Sequence, residues 1–592
     1  MNRAARLVVF YPKTIIAAVL AITALFTAAL VARGVGFNGS PETLARKDSS
    51  LEFFNEVRST FGDDRVIIVA LTTADVFTTE FIERLDRLTG RLTRVPGVAD
   101  ARSLTNIQAV RRQNDSINVD RMIPRSGVTG EYLSALRQTV TRDPLYARQF
   151  VSEDGRTAAV SVFINSLTES QSRAVAEQVE AVARAEAGQD ELMLAGVPVM
   201  DARAIESMVR DMLICSPIAA LLCFVVFLAA FRSLWGAILP MAALVIGLVW
   251  TFGLMSLTGS EITFATLPLP TVLLAIGSSY IFHIQNQCRI STATAAADRD
   301  RKQAWLEGFI FITPSVFVSG TTTIAGFASL ASSPVPTVRD MGIFEAAGVT
   351  AMLLLSLTFI PAALAILPAA SLGQVSSHQK DYATWLNGLL KQITALILFR
   401  KRTVLLFFLV STALVGAGAL SMRVNTDYLS IFPESSDTVQ SARRLHERLA
   451  GAASVQLVVT GARDAVLEPE FLDGVARLEE FSLEQPGVDS SISIAGIVKR
   501  FNRVLSGEQG GEETLPRDRE RVKSIFDDYL SQDDFISRLV SRDQSRAIIV
   551  LRTNLFGSNE LKALNERIEA WSRANLPQGA SVRATGSFVL LN

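Results

Sequence analysis

A few residues in the apolar stretches of this sequence could carry a proton. His283 follows Ser279 by four residues, so the two side chains share one face of a helix, and imidazole changes charge near neutral pH. Tyr280 adds a hydroxyl beside Ser279. Glu345 is a carboxylic acid in another apolar stretch, where lipid disfavours it unless it faces other helices or a cavity. These four residues are the candidates for proton coupling or transport.

Structural roles would also explain the two titratable residues. His283 would then be a hydrogen-bonded packing residue near the cytoplasmic side of the membrane. Glu345 would pair with Arg339, which lies beside Asp340 about a turn and a half earlier, at the outer rim. Both interpretations stay open at the level of the sequence.

The rest of the sequence offers little enzyme chemistry. No nucleophile and base set, no metal-ligand spacing and no phosphate-binding glycine loop stands out. Cys215, Cys223 and Cys288 fall in or beside apolar stretches, and His378 and His446 are predicted on opposite sides of the membrane. We therefore expect no enzyme activity, no metal and no cofactor. The net charge of -1 argues against a nucleic-acid partner, because phosphate binding needs a concentrated basic surface.

Seven apolar stretches are long enough to cross a membrane. Hydrophobic residues make up 49% of the 592 residues and charged residues only 19%, which is too apolar for one large soluble domain. The first stretch, 14–32, would reach roughly 28 Å as a helix, about one hydrocarbon thickness. A cleaved signal peptide is the alternative there, although the stretch is long for one. The other six lie at about 212–231, 235–257, 264–287, 309–332, 341–367 and 403–422.

Basic residues indicate the orientation of these stretches. They cluster at the N-terminus, after the second stretch, between the fourth and fifth, and before the seventh, and the positive-inside bias makes these segments cytoplasmic. The long polar regions 34–208 and 423–592 are then periplasmic, and we expect a multi-pass protein of the bacterial inner membrane. The predicted order is a first helix in 1–33, a polar domain in 34–208, helices two to six in 209–367, a cytoplasmic linker with an amphipathic helix in 368–402, helix seven in 403–422 and a second polar domain in 423–592.

Matched residues recur along the chain at a nearly constant shift. The shift is 389 for three pairs and 390 for the fourth: Phe10 and Phe399, Thr14 and Thr403, Asp154 and Asp543, and Gly196 and Gly586. This pattern predicts an internal duplication. The second copy stops where its next apolar stretch would begin, so we expect a C-terminally truncated sequence.

Each polar region alternates between strand and helix patterns. In the first, strands are predicted at 65–72, 98–104, 157–164 and 191–196, with helices at 78–94 and 167–187. In the second, strands are predicted at 454–461, 546–552 and 581–586, with helices at 468–484 and 559–573. Two strand-helix-strand units make a ferredoxin-like sandwich. The predicted fold class is a polytopic α-helical membrane protein with two α+β, ferredoxin-like, periplasmic domains.

The segment 319–367, SGTTTIAGFASLASSPVPTVRDMGIFEAAGVTAMLLLSLTFIPAALAIL, is rich in small residues and threonines. It resembles the fifth and sixth membrane helices of the resistance-nodulation-division superfamily, in particular its branch of mycobacterial-membrane-protein-large and hydrophobe exporters. Small residues let helices approach closely in lipid, and threonine hydroxyls bond across helices or back to a carbonyl. Direct substrate contact is the alternative role. The predicted helix-packing motif consists of Gly277, Thr321, Thr322, Gly326, Gly342, Gly348 and Pro361.

The fourth stretch is similar to the proton-relay helix of that superfamily. Relatives carry an aspartate just before the aromatic residue of a Gly-x-Asp-Tyr motif. Here Gly277, Ser278, Ser279 and Tyr280 occupy the motif, with His283 beyond it, and Ser279 takes the place of the aspartate. A serine does not titrate near neutral pH. The usual proton-relay assignment therefore does not carry over to this chain.

The resemblance implies a secondary active exporter of hydrophobic or lipid-like molecules, driven by the proton-motive force, with porter-type domains as the substrate path. Membrane lipids would surround it, and the resemblance leaves room for a homo-oligomer or a periplasmic partner. A non-transporting lipid sensor or scaffold of the same fold is an alternative, suggested by Ser279. A protein-export accessory is another, against which the seventh apolar stretch counts.

Overall fold

In the computed structural model, the described part of the chain is 2–45, 48–113, 116–125, 128–143, 146–165, 168–293, 301–367, 384–422, 425–506, 513–530 and 535–591. Its α-helices are α1 (Asn2–Phe10), α2 (Pro12–Arg33), α3 (Ser49–Phe61), α4 (Thr79–Thr93), α5 (Gly130–Val140), α6 (Glu169–Ala187), α7 (Val197–Phe231), α8 (Leu234–Thr258), α9 (Leu269–Ala293), α10 (Arg301–Ser329), α11 (Pro336–Leu357), α12 (Phe359–Ile366), α13 (Thr384–Phe399), α14 (Lys401–Ala419), α15 (Asp437–Arg448), α16 (Pro469–Leu483), α17 (Ile494–Ser506), α18 (Arg519–Ile525) and α19 (Ser558–Asn575). Its strands are β1 (Val66–Thr72), β2 (Val98–Arg102), β3 (Gln108–Gln113), β4 (Ser116–Arg121), β5 (Thr157–Ile164), β6 (Glu191–Ala195), β7 (Ala453–Thr460), β8 (Val488–Ser493), β9 (Arg546–Thr553) and β10 (Ser581–Thr585).

The chain divides into two compact units. The membrane unit contains the described residues of 1–37, 209–333 and 337–424, and the polar unit contains those of 38–208, 334–336 and 425–592. The two polar regions, which the sequence predicts as separate domains, therefore belong to one compact unit. The predicted linker is described only in part, because residues 368–383, including His378, lie outside the described residues.

Six helical segments among the described residues are long and apolar enough to cross a membrane: Pro12–Arg33, Val197–Phe231, Leu234–Thr258, Gln303–Ser332, Pro336–Ile366 and Lys401–Ala419. They correspond to six of the seven predicted stretches. The fourth stretch, 264–287, is a helix only from Leu269, and it is not among the six. Polar residues in its second half, such as Gln285, Asn286 and Gln287, lower its mean hydropathy below that of the others.

Close contacts at glycines and polar bonds between helices hold the membrane unit together. The Trp250 indole in α8 donates to the Thr23 hydroxyl in α2 at 2.9 Å, and Gln285 in α9 donates to the Gly236 carbonyl at 2.9 Å. A Cβ atom at Gly253 would lie 2.5 Å from Cβ of Phe26, so the two helix backbones approach closely there. Small residues allow such close packing in lipid, where burial of apolar surface gives little driving force for helix association.

The first sheet of the polar unit has the strand order β2-β5-β1-β6, and every neighbouring pair is antiparallel. Helices α4 and α6 cover one face, where Ile67, Val69 and Leu71 of β1 enter the hydrophobic core. Strand residues alternate between the two faces of a sheet, so Val66 and Ile68 point away from these helices.

The second sheet has the order β8-β9-β7-β10, again with antiparallel neighbours. Numbered by their place in each sheet, the strands of both sheets follow the same order, two-three-one-four, which is that of a ferredoxin-like sandwich. Helix α16 packs against β8 and β9, and α19 packs against β10. The strands and helices lie within a few residues of the sequence-based expectation, which had not included β8.

Polar contacts join the two regions within the polar unit. The Tyr428 hydroxyl is buried and lies within hydrogen-bond reach of two acceptors, the Gly39 carbonyl and the Asp201 carboxylate, which is 2.6 Å away. Arg448 donates to Glu191 at 2.6 Å, and Arg148 donates to the His446 carbonyl in the last turn of α15 and to the Leu449 carbonyl just after it. These bonds cross between 38–208 and 425–591, so the two sheets are held in one body.

Candidate functional site

The predicted proton-coupling residues of α9 point in different directions. Ser279 and His283 are both exposed on the same face of the helix. Tyr280 is 4% exposed, and its hydroxyl has no hydrogen-bond partner among the described residues. Within the described chain, the imidazole is therefore outside the helix bundle, while the phenol is inside it.

Glu345 lies inside the membrane unit. It is 1% exposed, and neither carboxylate oxygen has a hydrogen-bond partner within the described residues. Arg339 lies 3.6 Å from Asp340 instead, and no ion pair joins it to Glu345 in the described structure. The pairing of Glu345 with Arg339 at the rim, which the sequence left open, is thus not observed.

The neighbouring turn of α11 shows which helices surround Glu345. A Cβ atom at Gly348, three residues later, would lie 2.5 Å from the Leu273 side chain of α9 and 3.0 Å from the Thr251 hydroxyl of α8. Residues three apart share a helical face, so the acid faces α8 and α9. An unpaired acid held between membrane helices is costly and is more often functional than structural.

The structure does not bring Glu345 and Tyr280 together. Gly348 packs on Leu273 and Met352 packs on Gly277, so α9 and α11 run parallel with a constant offset. That offset places Tyr280 about ten residues beyond the level of Glu345, or roughly 15 Å along the helices. The four candidates therefore occupy three separate places in the membrane unit.

The predicted packing motif divides into two groups. Cβ atoms at Gly277, Gly342 and Gly348 would come within 2.8 Å of neighbouring atoms, and Pro361 is buried. By contrast, Gly326 has open space around it, and Thr321 and Thr322 bond back to carbonyls of their own helix at 2.9 Å. The described structure thus assigns close helix contact only to the first group.

A cavity of about 210 Å³ lies between the two sheets of the polar unit. The faces of the sheets opposite their covering helices enclose it. Its walls contain the cross-strand pairs Val66 with Phe163 and Ile68 with Ser161 from the first sheet, and Ser454 with Arg552 and Gln456 with Val550 from the second. Strand alternation therefore creates a second apolar interior besides the cores under the helices.

Aromatic rings and arginines share the lining of this cavity. Arg102 lies 4.6 Å from the centroid of the Phe535 ring, and Arg538 lies 5.0 Å from that of Phe163. Such contacts attract a guanidinium to the face of an aromatic ring. Four arginines and two aspartates line the cavity, namely Arg102, Arg500, Arg538, Arg552, Asp63 and Asp64.

The two aspartates at the cavity have different environments. Asp63 accepts from Arg65 at 2.7 Å, and both side chains are fully buried. Asp64 accepts from the Ser587 backbone at 2.8 Å and from its hydroxyl at 3.1 Å. Burial, with a smaller effect of Asp63, raises the pKa of Asp64 to about 6. Asp64 can therefore gain or lose a proton in a mildly acidic compartment.

Sequence-based reasoning did not identify any residue of this cavity as functional. The signal was present in the strands, because Gln456 and Arg552 interrupt otherwise apolar strand patterns. The opposite wall of the cavity, however, comes from β1 and β5, nearly four hundred residues earlier in the chain. Only the fold brings the two walls together.

The arrangement as a whole is that of a polytopic membrane protein with a bundle of small-residue contacts and a two-sheet polar unit that encloses a cavity. The sequence pattern of the MMPL family matches residues 54–392, which is more than half of the 592 residues. The chain belongs to the MMPL family, and the resemblance drawn from the sequence is confirmed at this level.

One membrane protein is similar to this chain over a shorter range. It is named "Putative membrane protein MJ1562", from Methanocaldococcus jannaschii, and is 23% identical over 182 residues. The match covers 30% of this chain and 45% of that protein, so the chain spans less than half the length of the relative.

Proposed function

We propose that this protein is a secondary active transporter that moves hydrophobic or lipid-like molecules out of the bacterial inner membrane. Membership of the MMPL family supports transport, and the cavity between the two sheets is the observation that carries the choice of substrate. Its aromatic and aliphatic walls would take an apolar chain, and no chemical step on that molecule is required.

The proposed orientation places the polar unit in the periplasm. The positive-inside bias of the segments around the membrane helices supports it. The same strand order in both sheets, together with the matched residues at shifts of 389 and 390, supports an origin by internal duplication. The substrate would then pass from the membrane unit to the cavity on its way out.

Glu345 is the group that we assign to proton coupling. It is buried without a partner in the described structure, on the face of α11 that Gly348 packs against α8 and α9. By contrast, His283 is exposed and Ser279 cannot titrate. A carboxylic acid in this position can change its protonation as water or a cation reaches it. Such a change would alter how favourably the neighbouring helices pack around it.

Photo-crosslinking in cells tests the path through the cavity. A diazirine amino acid in place of Val550 lines the cavity, and the same residue in place of exposed Arg567 on α19 is the control. We expect lipid adducts at the first position and few at the second. Equal labelling of the two positions in folded protein would contradict a substrate path here.

The coupling assignment has its own test. Transport of a fluorescent lipid into an external acceptor is measured from proteoliposomes with and without a pH gradient. The Glu345→Gln variant should lose the stimulation by the gradient, and His283→Gln should keep it. Wild-type stimulation in the glutamine variant of Glu345 rejects the assignment, and absence of any transport by the wild-type chain favours a lipid sensor or scaffold.

A further inference from the structure

The guanidinium of Arg552 is only partly used by the protein. It lies on β9 in the wall of the cavity, where Nε donates to the Gly451 carbonyl at 3.1 Å and Nη2 donates to the Ala450 carbonyl at 3.0 Å. No hydrogen bond within the described residues uses Nη1. Two backbone carbonyls orient the group but do not neutralise its charge.

No carboxylate among the described residues lies within ion-pair distance of Arg552. Asp489 favours its charged form through space, but that carboxylate accepts from His446 at 2.8 Å and from the Gly451 backbone at 2.8 Å. Burial lowers the pKa of Arg552 to about 10, so the guanidinium remains charged at neutral pH. The cavity wall thus holds a positive charge without an acidic partner.

Other charged groups at the cavity have partners of their own in the described structure. Arg500 pairs with Asp143 and lies 3.6 Å from Glu513. Asp63 is held by two arginines, and Asp64 by Ser587. Arg102 pairs with Asp100 at 2.7 Å. Arg552 differs from Arg102 and Arg500 in having no ion pair with a described carboxylate.

Taken with the apolar walls, the geometry points to a single-chain amphiphile with an anionic headgroup, a carboxylate or a phosphate, as the ligand of this cavity. Arg552 would bind the headgroup, and the chain would lie along Val66, Ile68 and Val550. This inference rests on the proposed function and specifies its substrate class. Charge-assisted hydrogen bonds from a partly buried guanidinium are among the strong polar contacts in proteins.

Calorimetry on the full chain in nanodiscs tests this inference, with empty nanodiscs as the blank. The probes are decanoate, decyl phosphate, 1-decanol and inorganic phosphate. We expect both anionic amphiphiles to bind at least about tenfold more tightly than decanol. Arg552→Gln should remove this preference and leave decanol unchanged, Arg552→Lys should keep most of it, and Arg567→Gln on the surface of α19 should change nothing.

The outcomes separate the two levels of the proposal. Equal binding of decanol and decanoate by the wild-type chain would overturn the anionic headgroup and leave the apolar path intact. Inorganic phosphate that binds as tightly as decyl phosphate would show a free-anion site and overturn the amphiphile. A preference for anions that survives in folded Arg552→Gln would overturn the role of this residue. Failure of every probe, decanol included, would contradict the cavity as a substrate path.

Discussion

Asp64 should make the polar unit more stable in mild acid than at neutral pH. Its carboxyl is buried, and its pKa is raised from 3.8 to about 6, chiefly by burial. Because the pKa is higher in the folded state than in the unfolded state, protonated Asp64 stabilises the fold. This stabilisation is fully present below about pH 4 and is lost as the pH rises through about 6. At 1.36 kcal/mol per pKa unit, the ionised form costs about 3 kcal/mol at pH 7.

The Asp64→Asn variant removes this cost. An amide oxygen can still accept from the Ser587 backbone, so the bond that fixes the C-terminal segment is kept. We expect the variant to unfold about 5 °C above the wild-type chain at pH 7.5 and at nearly the same temperature at pH 4.5. Thermal unfolding of the detergent-solubilised full chain, followed by tryptophan fluorescence across this pH range, measures both values.

Substitution of the adjacent Asp63 should change the stability in the opposite direction. Asp63→Asn removes the carboxylate that pairs with fully buried Arg65, and loss of one partner of a buried ion pair costs about 3 to 5 kcal/mol. This variant should unfold earlier than the wild-type chain at neutral pH. If Asp64→Asn is also destabilising at pH 7.5, or if its effect does not change between pH 4.5 and 7.5, the reasoning on burial is wrong.

Three further predictions concern packing and polar contacts. Gly348→Ala should destabilise the membrane unit by about 1 to 3 kcal/mol, because its Cβ would lie 2.5 Å from Leu273. Gly326→Ala meets open space and should change stability by less than about 0.5 kcal/mol. Both variants are measured in the same detergent unfolding assay. Tyr428→Phe leaves the Gly39 carbonyl without this donor and should cost the polar unit about 1 to 3 kcal/mol in urea unfolding. Glu191→Gln should cost less than about 1 kcal/mol of stability, since the ion pairs of Glu191 with Arg444 and Arg448 are partly exposed. The Arg448 hydrogen bond lowers the pKa of Glu191, so the stabilisation by these pairs disappears as the pH falls below about 4.5.

Local patterns predicted much of the fold of the polar unit. The apolar runs of β1, β5, β7 and β9 and the helical spacing of α4 are strong signals, and each element forms where its pattern lies. The hairpin of β3 and β4 was not predicted, because QAVRRQ and SINVDR are polar and lack a long apolar run. The structure pairs the two strands from Gln108 with Arg121 to Gln113 with Ser116.

The membrane unit shows a different limit. The sequence identifies Glu345 as an acid in an apolar stretch but leaves both the bundle interior and the outer rim open to it. The close approach at Gly348 decides between them, because it sets which face of α11 meets α8 and α9. The same holds for Ser279 and His283, whose shared face is predictable while its exposure is not.

The cavity lies beyond what sequence patterns can reach. A buried strand looks apolar on both faces, so the residues that will face a ligand cannot be separated from those that face the covering helix. Gln456 and Arg552 become meaningful only when β7 and β9 are placed opposite β1 and β5. That placement depends on contacts between chain segments hundreds of residues apart.

Lipid export by the purified chain is the most direct test of the central claim. Proteoliposomes that carry the full chain, a labelled decanoate-type amphiphile and a pH gradient are mixed with external albumin, and the amphiphile that reaches albumin is measured over time. The account predicts export above the protein-free background that collapses when the gradient is dissipated and falls in Arg552→Gln and Glu345→Gln. Export equal to the background in vesicles that contain folded protein would contradict it.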